Sequence, residues 1–242
     1  MRPIISFFFL VFFIQSLQAQ DSLDIYLDKF QAPCKPYEAA YIRNIKVHKG
    51  DIYQIKDFYV EDTTLYQTGY VEIKNSNYFD IKEINPAAIK RGRHIKNGEF
   101  KRYYKNGNVE FAGTFVDDRK KGPFKYWYEN GNFKGDFIHS DVLEIDHEFR
   151  VMTFYDSLNN QLVVDGSGTY YETGDGFQTS GAIKDGYKSE TWTGSFWSGK
   201  STFSEQYRMG VLTKGTSVDS AGTEYVYSKI LKTPEYSKGV EG

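Results

Sequence analysis

The densest gathering of residues able to hold a metal is the run His139-Ser-Asp141-Val-Leu-Glu144-Ile-Asp146-His147-Glu148. It contains two of the four histidines and four carboxylates. Drawn out as a strand, it would set Glu144, Asp146 and Glu148 on one face. Its spacing fits no common zinc or transition-metal site, so neither a metal nor a cofactor is expected. The acid pairs Glu61-Asp62 and Asp117-Asp118 raise glycosidase chemistry, which needs two carboxylates across a shared cleft. Adjacent acids in a turn point apart, so turn chemistry is the simpler expectation. The chain has no G-x-S-x-G elbow; the letters G-x-x-x-x-G-K-[ST] occur once, over Gly194 to Ser201, around the Ser198-Gly199 dipeptide. Asp165-Gly-Ser-Gly168 precedes no helical pattern and reads as a hairpin turn. Ser180-Gly181 and Ser198-Gly199 read as turn dipeptides. Cys34 is the only cysteine, which excludes an intrachain disulfide, and it reads as a small buried side chain. The expected class is non-catalytic.

Two residue sets remain as binding candidates. Tyr103, Trp127, Trp192 and Trp197 are large aromatics able to form an interaction surface or to stack on sugars, although cross-strand packing is their commoner use. Two basic clusters run Lys90, Arg91, Arg93, His94, Lys96 and Arg119, Lys120, Lys121. If their loops share an edge, Arg91, Arg93, Lys96, Arg119, Lys120 and Lys121 could contact an anionic surface at ~1 kcal/mol per residue. The net charge of −2 favours solvated turn charges instead, and with a pI near 6.1 it gives no reason to expect a nucleic-acid partner.

The elements that must position these residues are strands. Of 242 residues, 20 are Tyr, 19 Phe, 3 Trp and 22 Gly. Aromatics suit a pleated, half-buried surface and glycine supplies the positive φ of tight turns. At the N-terminus, Arg2 precedes an apolar run over residues 4–14, and Gln18-Ala19-Gln20 offers a small-residue exit. That layout predicts a secretory signal peptide over 1–19, cleaved after Ala19. The run is shorter than the ~20 residues a membrane span needs. Membrane association is therefore possible without a transmembrane segment, and the expected location is the periplasm or cell envelope.

Residues 98–131 repeat at an offset of 24. Gly98 matches Gly122, Phe100 Phe124, Tyr103 Trp127, Tyr104 Tyr128, Asn106 Asn130 and Gly107 Gly131. The Asn-Gly pairs predict type I′ hairpin turns. Phe100, Arg102 and Tyr104 alternate with Lys101 and Tyr103. After the turn, Val109, Phe111 and Phe115 should share a face opposite Glu110, Ala112 and Thr114. A second turn is expected over 117–121. Weaker copies flank the pair: Phe58-Tyr59 with Gly69 ten residues on, with one extra residue in the turn; Gly186 and Trp192, spaced like Gly98 and Tyr104; and Glu205, Tyr207, Gly210, Gly215, ending at Gly222. Hairpins must stack to bury an apolar face, which predicts an all-β antiparallel meander forming an elongated twisted sheet.

The pattern G-x-F-x-x-Y-[YW]-x-x-N-G, with G-T-F and K-K-G after it, resembles the MORN-repeat variant of bacterial proteins, including the YwqK-type antitoxins. The resemblance is best over 98–135 and fainter over 52–69 and 165–222. It implies a binding platform rather than an active site. Residues 233–242, Thr-Pro-Glu-Tyr-Ser-Lys-Gly-Val-Glu-Gly, resemble the opening of a TonB-type C-terminal domain, with Lys238 where the first glycine of P-x-[FY]-x-G-G would stand. Signal peptide, MORN-like repeats and such a domain occur together in Bacteroidota envelope proteins. The resemblance implies a truncated relative or an interrupted reading frame.

The expected organisation is a leader (1–19), a lead-in over 20–50 with a short helix possible near Leu23, Leu27 and Phe30, a repeat domain over 51–230 and a tail over 231–242. Residues 75–96 should be a loop or a single helical turn around Asn85-Pro86, and residues 136–146 leave the repeat. Strands should resume over 149–154 and 162–164 around a turn at 156–160. The expected function is that of an exported interaction module for an unknown envelope protein. The alternatives are a TonB-like energy transducer or its truncated relative, a toxin–antitoxin antitoxin, and a carbohydrate-binding protein. An exported chain would be separated from a cytoplasmic toxin.

Overall fold

The computed structural model describes residues 22–50, 52–74, 92–140, 149–174, 176–196 and 199–228. The first strands are β1 (Ser22–Leu27), β2 (Tyr41–Lys49), β3 (Ile52–Tyr59), β4 (Leu65–Lys74) and β5 (Arg93–Tyr103). The central ones are β6 (Val109–Val116), β7 (Arg119–Trp127), β8 (Phe133–His139), β9 (Phe149–Tyr155), β10 (Gln161–Val164) and β11 (Ser167–Gly174). The last are β12 (Phe177–Lys184), β13 (Tyr187–Phe196), β14 (Ser201–Arg208), β15 (Val211–Val218) and β16 (Glu224–Tyr227). All sixteen lie in one sheet in chain order, an open antiparallel meander. The meander begins well before residue 51. β1 alternates inward Ile25 and Leu27 with outward residues, a period of two, so Leu23 and Leu27 lie on a strand rather than a helix; the one helical turn among the described residues of the lead-in is a 3-10 turn at Pro36–Glu38. β5 likewise starts at Arg93, inside the stretch expected to be loop, while residues 75–91 lie outside the described ones. No helix among the described residues is long and apolar enough to cross a membrane.

Two turn chemistries alternate along the meander. On one side, four of the described turns have two residues, both at positive φ: Asp117-Asp118, Asp165-Gly166, Asp185-Gly186 and Met209-Gly210. These are the type I′ turns, whose twist matches that of the strands. The Asp117-Asp118 acid pair and the Asp-Gly-Ser-Gly run are therefore turn chemistry, as expected. The Asn-Gly pairs are not type I′. Gly107 and Gly131 take positive φ, but Asn106 and Asn130 do not. Gly107 N–H donates to Tyr104 O and Tyr104 N–H to Asn108 O, and the same pair of bonds recurs at Tyr128, Gly131 and Asn132. That geometry is a type I turn closed by a left-handed glycine, which leaves a bulge in the adjoining strand.

A second bulge, at Glu110, changes a facing. Tyr103 pairs with Val109 across it, so Val109 lies beside Tyr103 rather than with Phe111 and Phe115. Glu110 instead forms an ion pair with Arg102, whose guanidinium lies 4.7 Å from the Phe111 ring centre on the core face. The upstream copy has the extra residue expected in its turn: Tyr59 N–H donates to Thr64 O, one residue further than in the Tyr104 turn. The downstream copy is shifted. Trp192 pairs with Gly181 just as Phe124 pairs with Gly113, so it holds the place of Phe124 rather than Tyr104. Ser180-Gly181 accordingly lies within β12, not in a turn.

These glycine–aromatic pairs build the core. A Cβ at Gly69 or Gly113 would sit 2.5 Å from the ring of Phe100 or Phe124, so each ring lies flat on the glycine of the preceding strand. Gly181 under Trp192 and Gly215 under Tyr227 repeat the device. The buried side chains fall into two clusters, one from Ile25 to Phe124 and one from Phe137 to Trp192, with Tyr126 packed against both. A single sheet buries them because it coils. Three strand steps on a flat sheet span roughly 14 Å, yet the Phe137 and Tyr170 rings, on β8 and β11, are 5.9 Å apart. Lysines complete the cover. The Lys96 ammonium lies 5.5 and 5.2 Å from the Phe100 and Phe115 rings, Lys120 lies over Phe111, Phe124 and Tyr126, and Lys188 lies 4.2 Å from Trp192. Their methylene stems cover apolar surface while the charge faces the π-cloud.

Candidate interaction surface

The face opposite the core is polar. One cross-strand row reads Asp24, Asn44, Lys56, Thr68, Lys101, Ala112, Lys125, Asp136. A shallow groove of about 460 Å³ crosses it from β3 to β7. Thr68, Ala112 and Thr114 are small residues of its lining, and Tyr70, Tyr103, Lys101 and Lys125 are among the large ones. The depression has a direct cause. The glycines that seat rings on the core face leave this part of the sheet thin, and the residues beside them here are short. Lys125 meets Asp136 at 3.7 Å, while Glu99 adds an acid to the lining, so both signs are present.

Tyr103 therefore sits in a groove. Trp127 holds the equivalent place one repeat later, half-buried against Phe133 at 5.8 Å, and Phe133 meets Tyr155 at 5.9 Å. Trp192 is not a surface residue. It is fully buried, and its indole N–H donates to Ala182 O at 3.0 Å. Trp197 lies outside the described residues, as does Arg91.

The two basic clusters do share an edge. Lys96 N–H donates to Asp118 Oδ1 at 2.7 Å, Asp118 N–H donates to Lys96 O, and Arg93 pairs with Asp118 at 3.2 Å. Arg93, Arg119 and Lys121 are exposed there. Lys96 and Lys120 are not free surface charges, because both fold over aromatic rings, and Lys120 Nζ also donates to Tyr126 Oη at 2.6 Å. Of the metal-ligand run, only His139 and Ser140 are described. His139 stands edge-on to Phe124 at 4.9 Å as part of the aromatic packing. Cys34 is half-buried, and burial, with Asp28 and Glu38 nearby, raises its thiol pKa.

A buried polar network escaped the sequence reading. Arg43 and Asp57 are 3% and 0% exposed and form a two-pronged pair, Nε to Oδ1 and NH2 to Oδ2, both 2.7 Å. Gln67 Nε2 donates to Asp57 Oδ2 at 2.6 Å and to Gln31 at 3.0 Å, and Arg43 NH1 meets His94 Nδ1 at 3.0 Å. The network joins β2 to β5 and the loop after β1. The signal was available: Arg43 lies two before inward Ile45 and Asp57 two after inward Ile55, so both occupy core positions of their strands. No protein-family model matches this chain, and no curated protein does either.

Proposed function

We propose that the protein is an exported, non-catalytic interaction module of the cell envelope, which binds a protein partner along the groove on the polar face. The observation that carries the reading is the groove itself: short side chains beside two tyrosines and two lysines, on a scaffold of paired strands. Aromatic residues are enriched where protein interfaces are anchored, and a floor of small residues lets a partner's backbone approach. The apolar leader supports export. The repeat construction supports a platform, since each added hairpin extends the surface.

Affinity isolation from an envelope fraction tests the reading, with wild type compared with Tyr103→Ser and Lys101→Glu. Both positions are off the core face, so the fold should persist. A partner retained by wild type and lost from both variants is the expected result. A partner retained equally by all three overturns the assignment to this groove.

A further inference from the structure

At the β1 end of the core face, away from the groove, a cavity of about 520 Å³ opens beside the loop after β1. That size is within the usual range for small-molecule sites. Lys29, Arg43, Arg93, His94 and Lys96 line it together with Phe30, Pro33, Tyr66 and Val71, and among the described residues no carboxylate is in the lining. The charge balance is specific. Asp57 holds Arg43 from behind and Asp118 holds Arg93 from the side, whereas the Lys29 and Lys96 ammonium groups form no ion pair among the described residues. Two ammonium groups around one hollow thus lack an ion-pair partner among the described residues, with Asp118 and Asp57 offsetting Lys96 only in part. Phe30, 78% exposed, stands at the cavity with its ring 5.0 Å from Lys29 Nζ. An exposed phenyl ring beside a basic cavity offers an apolar contact that a bare ion would not use.

We propose that this cavity binds a small organic dianion, a phosphomonoester or a dicarboxylate, with its charged end at Lys96 and Lys29 and its apolar part against Phe30. Arg43 and His94 form the back wall, held in place by the Asp57–Gln67–Gln31 network, so binding requires little reorganisation. Lys96 is the anchor. Burial, reinforced by Arg43 and Arg102, depresses its pKa, and an anion would replace the solvation its ammonium has lost. The proposal goes beyond the protein-binding groove and stands or falls separately from it.

Titration of the purified protein with phenyl phosphate, phthalate and inorganic phosphate, followed by the amide resonances of residues 29–32 and 92–96, tests the site. Submillimolar binding of phenyl phosphate or phthalate is expected, and the tighter of the two assigns the phosphate or the carboxylate source. Lys96→Met keeps the stem over the rings and should weaken binding roughly tenfold or more. Lys29→Ala, in an exposed loop where folding is not at stake, should weaken it as well. Phe30→Ala should weaken phenyl phosphate but not inorganic phosphate. Resonances unmoved by all three probes at millimolar concentration, or binding unchanged in both lysine variants, would overturn the proposal.

Discussion

The ring-on-glycine contact is the smallest unit of this architecture. Gly113→Ala would place a methyl group against the Phe124 ring, and overpacking of this kind costs about 1–3 kcal/mol. Urea denaturation should show that loss. Adding Phe124→Leu, which removes the flat ring, should make the two effects markedly non-additive; simple additivity would mean the contact is not the constraint. The sequence displayed Phe100 and Phe124 at an offset of 24 but not which glycine seats which ring, because that pairing is set by register across strands. Ionisable residues carry a second prediction at this scale. Burial first, then neighbouring Tyr66 and Tyr59, raises the Tyr41 pKa to about 12, and burial also raises Tyr126, Tyr128 and Tyr170. A raised tyrosine pKa means that the fold favours the protonated phenol. Its contribution is present below the unfolded value of about 10 and is lost as pH climbs through the folded one. Lys96, Lys134 and Lys188, lowered by burial, act in the opposite sense as pH approaches their ordinary value. The tyrosine shifts are the larger, so the thermal midpoint should fall between about pH 10 and about 12 as phenolate absorbance appears. A midpoint that held steady while the phenols ionised would contradict this burial.

At the scale of the element, the turn is what couples one repeat to the next. Tyr104 Oη donates to Trp127 O at 2.9 Å, and the amides of Asn106 and Asn108 both donate to Glu129 O, at 2.7 and 2.8 Å. One repeat on, Tyr128 reaches Tyr155 O, and Asn130 and Asn132 reach Ser157 O. The ladder then ends. Asp156 stands where Tyr104 and Tyr128 stood, and its carboxylate accepts the N–H groups of Leu158 and Asn160 within its own turn. Asp219 does the same for Ala221 and Thr223. Asn106→Ala removes a bond within the turn and one to the next repeat, and should cost about 1 kcal/mol. It should also speed amide exchange around residues 128–132. Exchange accelerated only at 104–108 would show that the turns are independent. The Asn-Gly dipeptide announced a hairpin correctly and its type wrongly. Local preference favours I′, but a Tyr-x-Asn-Gly-Asn loop gains three bonds to its neighbour by adopting the type I form with a bulge. Asn108 and Asn132 also recur at an offset of 24, a repeat signal that could have been read from the sequence.

At the scale of the whole molecule, the described residues solve the problem of a sheet with no second layer among them. Coiling brings strands three apart into side-chain contact, and lysine stems close the remaining apolar surface. The all-β meander was legible because period-two alternation and glycine-marked turns are local signals. The buried Arg43–Asp57–Gln67 network, the burial of Trp192 and the groove were not legible, because each depends on register and curvature summed over several strands. The polar face is left as the broad surface available to a partner, and site-specific photocrosslinking in intact cells tests its use most directly. A benzophenone side chain introduced at Lys101 or Lys125 should capture the same single protein, whereas one at Lys214, exposed on β15 outside the groove, should capture none. Capture from Lys214 but from neither groove position would contradict the account.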